Sequence, residues 1–130
     1  MAVEYTTELA GVEPEHLHGF FEGWPSPPSP ERHLEILRGS YRVVIAREVG
    51  SPQVVGFVNA LSDGHLSAFV PLLEVLPSHR GQGIGTELVR HLLAELDDLY
   101  SVDVVCDDEL RSFYERFDMQ PLLAMAFRRR

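Results

Sequence analysis

The spacing of apolar residues changes several times along this chain, and each change marks a predicted element. Residues 3–9 alternate loosely and predict a first edge strand. From Glu13 the apolar positions Leu17, Phe20, Phe21 and Trp24 recur every three or four residues, which predicts an amphipathic helix with Pro14 in its first turn. His16 and His18 then fall on different faces of that helix and read as surface residues. The proline-rich residues 24–30 predict a stiff loop, because proline lacks an amide donor and restricts the residue before it. Ser29 is placed to cap a second helix, with Pro30 at its first position, Leu34 and Leu37 on its buried side and Gly39 as its stop. Two β-branched runs, residues 41–47 and 54–61, flank a turn at residues 49–52 and predict a hairpin. A second turn at residues 62–64 leads through residues 66–70 into the stretch around which the chain is organised.

That stretch, residues 72–89, reads as apolar strand, glycine loop and amphipathic helix in direct succession. Gly81, Gly83 and Gly85 alternate in the loop, and residues without a Cβ turn sharply and let a ligand approach the backbone. The helix that follows presents free N–H groups and the positive end of its dipole, a receptor for phosphate oxygens, with the Arg80 guanidinium beside it. A P-loop is excluded, since its lysine is required and the chain contains none. The dinucleotide fingerprint fails as well, because Thr86 stands where its third glycine belongs. The helix buries Leu88, Val89, Leu92, Leu93, Leu96 and Leu99, and residues 101–106 follow as a strand parallel to the organising one. Cys106, near the end of that strand, reads as a small buried hydrophobe. A last helix over residues 107–117, burying Leu110, Phe113, Tyr114 and Phe117, precedes a terminal strand at residues 122–127.

The run Val75-x-Pro77 with Arg80-x-x-Gly83-x-Gly85 resembles the GNAT acyltransferase superfamily, which holds the pyrophosphate of acetyl-CoA on such a loop. A second segment adds to the resemblance: Asp107-x-x-Leu110-x-x-Phe113-Tyr114-Glu115 is similar to the family's N-x-x-A-x-x-F-Y-E, with Asp for Asn and Leu for Ala. Asp118-Met119 departs from the family's usual Gly-Phe. The matched segments run from Leu72 to Met119, and the earlier half agrees in element order alone.

The resemblance implies an α/β fold, α+β in some schemes: a mixed central sheet with an antiparallel N-terminal meander, a V-shaped cleft between two parallel central strands, and helices on both faces. It implies acetyl-CoA as co-substrate, with its pyrophosphate on the backbone of Arg80, Gly81, Gln82, Gly83, Gly85 and Thr86, and backbone groups of Val75 facing pantetheine and carbonyl. It also implies a bulge in the organising strand, where Pro71 would otherwise forfeit a ladder hydrogen bond. Tyr114 becomes the candidate general acid, since a phenol of pKa about 10 stays protonated at neutral pH beside a thiol near 8.5; the alternative is simple packing. Glu74 follows from strand alternation, because Leu73 and Val75 point to the opposite face, and it reads equally as general base or as structural ion-pair partner. His65 is a second base candidate, His79 a loop residue near CoA, and Asn59 and Asp63 candidates for the acceptor side.

Length and composition fit these expectations. The 130 residues suit a single domain, and no apolar run approaches the roughly 20 residues of a membrane span. The net charge of −9 disfavours nucleic-acid binding, and the basic run Arg128-Arg129-Arg130 reads as a solvated chain end. One cysteine and no visible secretory signal predict a cytoplasmic protein. No metal site is expected. The sequence thus predicts an acetyl-CoA-dependent N-acetyltransferase acting on a primary amine of a small molecule or peptide, without a membrane partner. A non-catalytic acyl-CoA-binding module is the alternative. The open edge of the final strand makes a homodimer conceivable.

Overall fold

The computed structural model describes residues 2–129. Among these, five strands form one sheet in the order β1-β2-β3-β4-β5: β1 (Val3–Thr6), β2 (Arg42–Glu48), β3 (Val54–Ser62), β4 (Ser67–Val75) and β5 (Ser101–Val104). The α-helices are α1 (Pro30–Arg38), α2 (Ile84–Glu95) and α3 (Arg111–Glu115). The first three pairings are antiparallel and follow from short turns; β4 and β5 are parallel, joined by the α2 crossover. This is the mixed α/β sheet with its antiparallel meander that the sequence predicts.

Each face of the sheet has its own core. On one, Ile84, Leu88, Leu92 and Leu96 pack on Val44, Ala46, Val58 and Ala60. On the other, Leu34 and Leu37 of α1 pack with Leu17 and Phe21 on Val43, Ile45 and Phe57. Burying each of the larger of these side chains stabilises the fold by about 1.5–3 kcal/mol. The Ser29 hydroxyl caps α1, accepting from the Arg32 amide at 3.1 Å as its sequence context predicts.

Pro71 lies in a bulge. β3 pairs with β4 as Asn59↔Leu72, then as Leu61↔Phe69, so Ala60 stands opposite both Val70 and Pro71. The extra residue reverses the strand's phase: Ala68 and Val70 face α2 before it, Leu73 and Val75 after it, while Leu72 joins the α1-side core. The β4–β5 ladder ends at Val70↔Val104, whereas β4 continues to Val75. The two strands therefore separate beyond the bulge.

Several expectations are corrected. No helix forms over residues 13–24; a single 3-10 turn, Pro14–His16, gives way to a loop with positive φ at Gly19 (93°), Phe21 (63°) and Gly23 (83°). A helix cannot pass through left-handed residues, yet Leu17 and Phe21 still reach the core, which is why their spacing imitated one. β1 stops at Thr6, and β5 stops at Val104, leaving Cys106 exposed beyond the strand instead of buried. The last helix is a 3-10 turn, Asp108–Leu110, followed by the short α3, and Leu110 is exposed. Residues 122–127 form no strand, and Leu122, Leu123, Met125 and Phe127 are exposed.

His33 of α1 is 1% exposed and ringed by Phe57, Phe21 and Phe20 at centroid distances of 4.4, 4.9 and 5.5 Å. Neither ring nitrogen has a partner among the described residues, and burial lowers its pKa to about 4. The folded state thus favours neutral imidazole, while the unfolded chain takes up a proton near pH 6.5. Its contribution is present above pH 6.5 and lost as pH falls toward 4, amounting to at most about 3 kcal/mol. Urea unfolding of His33→Leu between pH 7.5 and 4 should show a correspondingly shallower acid loss than the parent protein; equal slopes would show that His33 does not carry it.

Candidate functional site

The separation of β4 from β5 leaves one side of the C-terminal half of β4 without a neighbouring strand, and the glycine loop hangs from its end. A 3-10 turn, Pro77–His79, leads into the loop, and His79 is held by the Glu48 carboxylate of β2. Gly81 and Gly83 adopt φ of 78° and 83°, and a Cβ at either would meet nothing within 4 Å. The glycines are therefore required by backbone conformation, and the space above them is open.

Gly83 caps α2 without any side chain serving the helix start, and the first helical bond is Glu87 N–H to the Gly83 carbonyl at 3.1 Å. The amides from Gly81 to Thr86 have no backbone acceptor among the described residues. They form a set of free donors at the positive end of a helix of 12 residues. Arg80 donates from Nε to the Val75 carbonyl at 3.1 Å, which leaves its terminal nitrogens available beside these amides. This donor set fits a pyrophosphate: open space, converging N–H groups and a guanidinium, with no carboxylate among the residues of the loop.

α3 closes the other side of the site. Arg116, its C-cap, donates to the Thr86 hydroxyl at 3.1 Å and lies 4.9 Å over the Phe113 ring. A Cβ on Gly85 would stand 3.8 Å from Phe113 and 3.9 Å from Val75, so loop, β4 and α3 converge there. Tyr114 is 8% exposed, stacks edge-on against Phe113 at 5.0 Å, and its hydroxyl bonds to none of the described residues. Burial, with a smaller contribution from Cys106, raises its pKa above the usual tyrosine value.

Glu74 faces the α1 side of β4. Its Oε1 accepts from the Phe21 amide at 3.0 Å, while Oε2 is buried without a partner. Burial raises its pKa above the ordinary carboxylate value, opposed by the Phe21 amide and by Arg80. Phe21 is itself left-handed, at φ 63°, a strained conformation for an aromatic residue. An open trough of about 800 Å³ runs beside this pair, lined by Phe20, Phe21, Glu22, Trp24, Leu76 and Pro77 among others.

The structure thus brings Val75, Arg80, Gly81, Gln82, Gly83, Gly85 and Thr86 together at the end of β4, with Glu74 on β4 itself and Tyr114 on α3. His65 and Asp63 are not part of this group; they lie in the exposed β3–β4 turn, where Asp63 accepts from the His65 and Leu66 amides at 2.8 and 3.0 Å. Asn59 is buried under Ser40, to which it donates at 3.0 Å. Arg116 and Phe21 were missed. Arg116 follows Phe113 by three residues and so shares its helix face, a readable signal; nothing in the sequence marks the Phe21 amide.

Several solved structures share the fold. A protein of Deinococcus radiodurans R1 classed as an acetyltransferase is 51% identical, over 98% of this chain and 88% of that one, with a TM-score of 0.94. A GNAT-family acetyltransferase of Streptococcus pneumoniae TIGR4 is 25% identical over 99% and 98% of the two chains, with a TM-score of 0.73. Glucosamine-6-phosphate N-acetyltransferase of Arabidopsis thaliana, 15% identical over 99% of each chain with a TM-score of 0.74, shares the fold. Residues 9–119 match the acetyltransferase (GNAT) family, and this chain belongs to it.

Proposed function

We propose that this protein transfers the acetyl group of acetyl-CoA to a primary amine. The observation that carries the reading is the array of free amides from Gly81 to Thr86, open above and flanked by Arg80 and Arg116, at the end of a strand that has parted from its neighbour. Bound acetyl-CoA supplies the acyl thioester. The chain's residues divide the remaining work. The loop amides and the two guanidinium groups hold the pyrophosphate, and backbone groups of Val75 face the pantetheine arm.

Glu74 takes the proton of the attacking amine on Oε2, the oxygen left free when Oε1 is held by the Phe21 amide. Its raised pKa makes it a stronger base than an exposed carboxylate, so activity rises with pH as it ionises. Tyr114, kept protonated by burial, returns a proton to the departing thiolate. The acceptor approaches from the α1 side along the trough, whose Trp24 and Phe21 suit an amine attached to an apolar body.

The discriminating experiment is thiol release from acetyl-CoA over a panel of amines. Binding without release for any amine would make the chain an acyl-CoA-binding module. Gly83→Ala should weaken CoA binding in calorimetry and cost about 1–2 kcal/mol of stability through its left-handed backbone; unchanged CoA affinity would remove the loop from the site. Glu74→Gln, which keeps an oxygen for Phe21, should slow transfer by about 100-fold at unchanged CoA affinity. Parent turnover at saturating amine would leave Glu74 as a clamp alone.

Tyr114→Phe should slow the chemical step by about 10²–10⁴-fold while the melting temperature moves little, since no described residue bonds its hydroxyl. The parent's rate should decline only above the usual tyrosine range, because the pKa is raised, and the variant should lack that alkaline limb. Single-turnover kinetics across pH decide the point, and identical profiles would make Tyr114 a packing residue.

A further inference from the structure

The trough beside Glu74 has a wall that is held in place, and its chemistry selects among amines. That wall is the loop of residues 18–24, tied down at three points. Gln53 donates from Nε2 to the His18 carbonyl at 3.4 Å and to the Val54 carbonyl at 2.9 Å, which joins the loop to the start of β3. Gly19 comes so close to β4 that a Cβ on it would stand 3.0 Å from the Leu76 side chain. The Phe21 amide donates to Glu74 Oε1. At the end of the loop stands Trp24, the chain's one tryptophan, 49% exposed although its ring rests edge-on against buried Phe21 at 5.0 Å. Pro25 follows it and Pro27 lines the trough, so the backbone that carries the indole is stiff. A large aromatic face, fixed in position and half open, is a surface on which a ligand ring can stack.

The charges along the trough are of one sign. Glu22 lines it, no described arginine does, and the chain has no lysine. Arg80 belongs to the pyrophosphate loop and is tied to the Val75 carbonyl. In an α-amino acid the carboxylate is one carbon away from the amine. Delivering that amine to Glu74 Oε2 would press a second carboxylate against the first, with no cation in the trough to receive it.

We propose, on the reading that Glu74 receives the attacking amine, that the acceptor is an arylalkylamine without an acidic group: a primary amine joined by a short aliphatic linker to an aromatic ring that stacks on Trp24. Phe21 sets the spacing such a linker spans, because its amide orients Glu74 while its ring supports Trp24. Glu22 extends the selection along the trough by repelling an acid placed farther from the amine.

Thiol release from acetyl-CoA with phenethylamine, phenylalaninamide, phenylalanine and butylamine tests this. Phenethylamine should be used, and phenylalanine should fall at least about 100-fold below it in kcat/KM. Phenylalaninamide, close to phenylalanine in shape but without its carboxylate, should recover most of that loss, which separates charge from bulk. Butylamine, which lacks the ring, should fall about 10-fold below phenethylamine, and Trp24→Ala should bring that ratio close to one. Trp24 fluorescence in the CoA complex reports arrival of the ring without turnover: it should respond saturably to phenethylamine and not to phenylalanine at equal concentration. Equal use of phenylalanine and phenethylamine overturns the proposal, and so does a ring preference that survives Trp24→Ala. Thiol release with other amines but not with phenethylamine overturns the substrate class and leaves acetyl transfer standing. A saturable fluorescence response with no thiol release from any amine overturns acetyl transfer and leaves the arylalkylamine site; the absence of both signals overturns both. The ratios in the parent protein decide the matter even where Trp24→Ala fails to fold.

Discussion

The structure depends on one interruption in a β-ladder. β4 keeps its pairing with β3 from end to end, but only by placing Val70 and Pro71 opposite the single residue Ala60. From that point β4 turns over and parts from β5. Three consequences follow from the same extra residue. A proline is accommodated in an interior strand because a bulge leaves one residue outside the ladder. Glu74 is brought to the α1 face, where the Phe21 amide meets it. A gap opens between two parallel strands at their C-terminal ends, the position at which α/β sheets receive ligands.

Electrostatics then determine what the gap can hold. An acidic chain must gather positive potential locally if it is to bind a polyanion, and here backbone amides and two guanidinium groups both contribute. Free amides at the start of α2 carry no counter-charge, and glycines at φ of 78° and 83° expose them. Arg80 and Arg116 are held at the loop, one tied to the Val75 carbonyl and the other to the Thr86 hydroxyl. Both guanidinium groups are thus anchored by neutral oxygens, which orient the charge without cancelling it. An arginine locked to a carboxylate would leave little charge for a phosphate.

What the sequence revealed divides along the line between local and non-local causes. The cap at Ser29, the hairpin of β2 and β3, and the strand-loop-helix unit follow from neighbouring residues, and all formed as expected. Residues 17–24 misled because helical spacing and a loop folded onto a sheet bury the same positions; Gly19 and Gly23 were the evidence against a helix. Asp118 occupies the left-handed turn where the family commonly has glycine, so that departure kept the conformation it seemed to threaten. The terminal strand was not realised for a different reason. A strand needs an edge to pair with, and sequence periodicity cannot say whether that edge belongs to the same chain.

The Glu74 side of the site is joined to the core through a short chain of contacts. Phe21 packs between His33 and Trp24, at 4.9 and 5.0 Å, in a left-handed conformation it would not adopt alone. That conformation aims its amide at Glu74 Oε1 and leaves Oε2 buried and free. The strain at Phe21 is sustained by aromatic packing that requires His33 to remain uncharged, since a cation within this apolar cage would lack any partner among the described residues. Protonation of His33 therefore weakens the cage at low pH, in the same direction as protonation of Glu74. Loss of the ordered carboxylate on acidification has two linked causes: the group takes up a proton, and the loop that orients it loses its support.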